Sequence, residues 1–117
     1  MVACGVPMAP WNHFRAYDRF RVQLAATMTV PSRGLEAQGR IQDLGLGGAS
    51  LEVAQPLRLG EPVQIRVWVP GATLQAEVAW VAWATSGAAR AGVRFRPESV
   101  EAVSELLSLV VQNVEAG

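Results

Sequence analysis

Gly39-Arg40-Ile41-Gln42-Asp43-Leu44-Gly45-Leu46-Gly47-Gly48-Ala49-Ser50-Leu51-Glu52-Val53 reads as a strand, a glycine-rich turn and a second strand. Ile41 alternates with Arg40 and Gln42 on the way in. Ala49, Leu51 and Val53 alternate with Ser50 and Glu52 on the way out. Gly45, Gly47 and Gly48 permit positive φ and leave the backbone uncovered, and Asp43 stands at the mouth of the turn as a carboxylate. Such a turn can offer amide donors and one acidic acceptor to a small ligand. The same residues would equally serve a tight hairpin in which Asp43 bonds only its own backbone.

Outward from this hairpin the alternation continues. Upstream, Val22, Leu24, Ala26, Met28 and Val30 fall on one face of a strand over about 22–30, and Pro31-Ser32-Arg33-Gly34 turns the chain into a strand at about 35–43. Downstream of the strand at about 48–54 comes a loop, Gln55 to Pro62. Val63, Ile65, Val67 and Val69 then point inward, and Pro70-Gly71 is a turn. Leu74, Ala76, Val78, Trp80 and Ala82 give the inward face of a fifth strand. Ala91, Val93 and Phe95 give that of a sixth, whose other face carries Gly92, Arg94 and Arg96. After Pro97 the period changes to helical: Val100, Val103, Leu106, Leu107, Val110, Val111 and Val114 form one stripe, with Glu98, Glu101 and Glu105 near its positive end. The expectation is a mainly β protein, a six-stranded antiparallel β-barrel over 14–114. A C-terminal α-helix at about 98–114 packs on the barrel or on a second copy. Outward parity for Trp68 and Trp83 predicts a place under that helix or a cross-strand pair, against the alternative of an exposed patch for a partner.

A chain of 117 residues makes one domain with one core. Residues 1–13 hold Gly5, Pro7 and Pro10 without periodicity and read as an N-terminal tail. They carry no Lys or Arg and no apolar leader region, so no secretory signal is expected. No apolar run is long enough for a membrane span. Lone Cys4 allows no internal disulfide, which fits a cytoplasmic location, and one His with one Cys builds no ordinary zinc site. Net charge is zero, which argues against a protein that coats nucleic acid or anionic lipid. The ten basic residues are all arginine, the side chain suited to bidentate contacts with phosphate or guanine. Nucleophile elbow, Walker and zinc-protease motifs are absent, so no enzyme, cofactor or metal is expected.

Two features stand in order: Arg15-x-x-x-Arg19 just before the first strand, and Asp43-x-Gly45-x-x-Gly48 at the second hairpin. With "RFRV", "PLRLGEPVQIRV", "LQAEVAW" and "AGVRF" around them, the chain from about 15 to 112 resembles a PilZ domain. That resemblance implies a six-stranded barrel with a C-terminal helix that binds cyclic di-GMP, a bacterial second messenger. The two arginines close over phosphates and guanine, and the second motif, usually (D/N)-x-S-x-x-G, completes the site. Arg15 and Arg19 match the first motif, Asp43 and Gly48 the ends of the second. Gly45 stands where the serine belongs. A hydroxyl contributes about 0.5–1.5 kcal/mol, so its loss weakens binding roughly three- to tenfold unless backbone or water replaces it. The function implied is a stand-alone adaptor, monomeric or homodimeric, that reads cyclic di-GMP and signals to a protein partner. The alternative is a degenerate, nucleotide-free interaction module.

Overall fold

The computed structural model describes residues 19–83 and 89–116, with side chains to Val110. Six strands follow one another: β1 (Phe20–Val30), β2 (Leu35–Leu44), β3 (Gly48–Val53), β4 (Pro62–Val67), β5 (Ala72–Trp83) and β6 (Ala89–Phe95). A helix, α1 (Val100–Ala116), follows them. The strands close an antiparallel barrel in the order β1-β2-β3-β6-β5-β4. Single 3₁₀ turns at Pro31–Arg33 and Pro97–Ser99 connect β1 to β2 and β6 to α1.

The alternation sets the barrel's inside. Met28, Ile41, Leu51, Ile65 and Leu74 are fully enclosed, and each such side chain contributes about 1.5–3 kcal/mol by leaving water. Val103, Leu106, Leu107 and Val110 of α1 are buried at i, i+3, i+4 and i+7, and the helix lies against β5. The helix thus packs on its own barrel. At the turn before it, the Gln75 amide donates to Ser99 Oγ (2.8 Å) and the Arg96 amide to the Gln75 carbonyl (2.8 Å).

Three expectations about side-chain direction are corrected. Val69 is 78% exposed because β4 ends at Val67 and the chain leaves the barrel there. Trp80 and Ala82 face solvent: one extra residue between Val78 and Trp80 in the β5–β6 register re-aims Trp80 outward, and from Ala79 to Trp83 every residue of β5 is exposed. Trp68 and Trp83 are neither helix-covered nor paired: they lie beyond opposite ends of the β4–β5 ladder and are 55% and 70% exposed. The Trp68 indole N–H donates to Thr27 Oγ1 (3.1 Å), and the Arg66 guanidinium lies 5.9 Å from its ring centroid.

Glu61, in the loop between β3 and β4, forms a partly buried ion pair with Arg33 of the β1–β2 turn. Glu61 accepts from Arg33 Nε (3.0 Å), Arg33 Nη2 (2.7 Å) and the Arg58 amide (2.6 Å). Burial pushes the Glu61 carboxyl up, but the Arg33 bonds and the Arg58 amide outweigh it and hold it below the usual carboxylate range.

Candidate functional site

The Asp43–Gly48 turn lies where β2 ends and β3 begins. The Gly45 amide donates to the Gly48 carbonyl (2.9 Å), and the Phe95 amide to the Gly47 carbonyl (3.0 Å), so the turn is pinned to itself and to β6. Its glycines are not there for handedness: among the described residues only Gly34 and Gly60 have positive φ. Gly48 is needed for room. A Cβ there would run into the Val93 carbonyl on β6, and the strands could not keep their spacing. Gly45 is buried and its amide is taken by the Gly48 carbonyl, so this amide is not among the donors the turn can offer.

Arg19 stands just before β1 and reaches across 24 residues of sequence. Its Nη1 donates to Asp43 Oδ1 at 2.6 Å, and its Nη2 lies 3.5 Å from where a Gly48 Cβ would be. The structure therefore brings Arg19, Asp43, Gly45 and Gly48 to one end of the barrel. Arg15 lies outside the described residues. The Arg19–Asp43 pair is open to solvent, with side chains 44% and 30% exposed, and is worth about 0.2–1 kcal/mol to the fold.

The ladders carry this site across the outer face. Inward Ile41, Leu44, Ala49 and Leu51 fix Asp43 and Ser50 as outward, and the register continues Arg21–Asp43–Ser50–Gly92–Trp80 over β1, β2, β3, β6 and β5. Cross-strand partners on one face stand about 4.5–5.5 Å apart at Cβ. A parallel row sets Arg94 opposite Gly48, with Glu77 beyond it. Arg21 and Arg94 are exposed and make no ion pair with another described residue. At Gly92 a Cβ would collide with the Trp80 ring, so the indole lies on the glycine at the end of the Asp43 row, 42% exposed. Arginines thus flank a glycine floor, with a carboxylate beside it and an aromatic face at its far side. Such a surface suits a flat, polar, anionic molecule.

Sequence reasoning did not assign Arg21, Arg94 or Trp80 to this face. Arg94 had a visible signal, since it shares outward parity with Gly92. Trp80 had none, since the bulge that turns it outward leaves no mark in the alternation. Among the described residues no cluster of potential metal ligands occurs, and no helix is long and apolar enough to cross a membrane.

A family model for the PilZ domain matches residues 13–112. No curated protein matches the chain. Among solved structures, the PilZ domain of YcgR from Escherichia coli with c-di-GMP aligns at a TM-score of 0.66 and 17% identity, covering 87% of this chain and 93% of that one. The PilZ domain of CeSA from a cellulose-synthesizing bacterium aligns at 0.61 and 20% identity, covering 81% and 96%. The Bacillus subtilis inhibitor of motility, MotI/DgrA, aligns at 0.64 and 14% identity, covering 85% of this chain and 52% of its own length, so the chain spans about half of that protein. At these identities the likeness is one of fold.

Proposed function

From the chain's place in the PilZ domain family, to which it belongs, we propose that it is a receptor for cyclic di-GMP and not an enzyme. The observation that carries this reading is the Arg19–Asp43 contact over Gly48, which unites two motifs far apart in sequence. The ligand offers two phosphodiesters and two guanines. A guanidinium fork matches either the phosphate oxygens or the O6/N7 edge of guanine, and a carboxylate accepts from guanine N1–H and N2–H₂. Arg19 supplies the fork and Asp43 the acceptor. Arg94 and Arg21 add positive charge on either side of the floor. Binding draws Arg15 onto the same face, and the altered surface is read by a protein partner.

A second reading, a nucleotide-free interaction module, is favoured by Gly45 in place of serine and by the exposed Trp68 and Val69. Calorimetric titration with cyclic di-GMP, run beside an Arg15→Ala/Arg19→Ala variant, separates the two. Micromolar or tighter binding that the variant loses is the expected result. No heat and no thermal shift at high ligand would overturn the receptor reading in favour of the module.

A further inference from the structure

Resting on the receptor reading, we infer that Ser50 supplies from β3 the hydroxyl that the turn lacks at Gly45. Ser50 is the in-register partner of Asp43, and both side chains are outward because Leu44, Ala49 and Leu51 beside them are fully enclosed. A Ser50 oxygen therefore stands within a few ångströms of whatever Asp43 holds. On its other side the partner is Gly92, whose missing side chain leaves the Trp80 indole, not an aliphatic group, as the next surface.

Several other described hydroxyls are committed or enclosed. Thr27 bonds Gln38 and Trp68, Ser99 accepts from the Gln75 amide, and Ser104 is enclosed on α1. Ser50 makes no side-chain hydrogen bond to a described residue. Ser50 itself is 8% exposed. A hydroxyl with no partner among the described residues, beside the acidic residue of a binding site, is positioned to donate to a guanine acceptor or a phosphate oxygen, the work expected of a serine at 45.

The test is a four-protein cycle titrated with cyclic di-GMP: wild type, Ser50→Ala, Gly45→Ser and the double variant. Ser50→Ala is expected to weaken binding about three- to tenfold, and Gly45→Ser to restore most of that loss in the double variant while changing the wild type less than about threefold. Ser50→Cys, which keeps the volume but donates poorly, is expected to bind like Ser50→Ala, and all variants to melt within a few degrees of wild type. A Ser50→Ala protein that binds as wild type does overturns this inference alone. So does a Gly45→Ser gain of the same size with and without Ser50. A wild type that does not bind overturns the receptor reading with it.

Discussion

Arg19→Ala separates what the site does from what holds the barrel. The guanidinium touches Asp43 at 2.6 Å on an exposed surface, with the pair's side chains 44% and 30% open to solvent. Solvent screens such a pair, so its removal costs the fold about 0.2–1 kcal/mol, which for a domain of this size moves the melting temperature by a few degrees at most. Ligand binding is another matter. Each charge-assisted hydrogen bond that Arg19 makes to phosphate or guanine contributes about 1.5–3 kcal/mol, or roughly ten- to 150-fold in affinity. Arg19→Lys keeps the charge but loses the fork, and falls between alanine and wild type. Calorimetry at fixed physiological salt, with a thermal melt of each protein, reads both quantities. An affinity within threefold of wild type, or a melting temperature lowered by about 8 °C or more, would refute the assignment of Arg19 to ligand and make it a structural residue.

Glu61→Gln gives the opposite pattern. It leaves Arg33 facing a neutral acceptor in a partly buried corner, and costs about 1.5–3 kcal/mol with cyclic di-GMP affinity unchanged in calorimetry. Because the folded Glu61 carboxyl titrates below its usual value of 4.5, its contribution is complete above that pH and is lost as pH falls through the folded value. Urea melts should therefore show the gap between wild type and Glu61→Gln shrinking below pH 4.5 and constant above it. A gap that widens on acidification contradicts the ion-pair account. Gly48→Ala must displace the Val93 carbonyl or the strand that carries Gly48, so it is expected to lower the melting temperature by several degrees and to weaken ligand binding together. A variant that binds poorly with an unchanged melt would show Gly48 to be there for the ligand alone.

The barrel was legible because its strands are half-buried, so period-two alternation records which side meets the core. Met28, Ile65 and Leu74 are where that alternation puts them, and the change of period after Pro97 marks α1. The partnership of Arg19 with Asp43 was legible only through the family's motif order, since nothing local connects residues so far apart. Both the purpose of Gly48 and the Arg33–Glu61 pair needed the fold. The first depends on the approach of β6, which is remote in sequence. The second depends on a loop between β3 and β4 that has no period to read.

Where the alternation failed is itself informative. The three register shifts in the barrel fall between Arg21 and Leu24, between Ile41 and Asp43, and between Val78 and Trp80. Each shift borders the single row Arg21–Asp43–Ser50–Gly92–Trp80. An unbroken period of two ties every side chain's direction to that of the core residue beside it. A bulge breaks that tie, re-aiming one residue while its inward neighbours stay enclosed, and it tightens the local twist. At Trp80 the effect is visible: parity counted from Val78 points it into the barrel, and the extra residue turns it out onto Gly92. The three shifts border one outward row, across the strands that also carry Arg19's partner and the Gly48 turn, so the bends that help close the barrel also set which side chains face outward at this end. The remaining ladders, β1–β4, β3–β6 and β4–β5, are regular throughout, so the re-aiming is confined to the strand pairs that border this row.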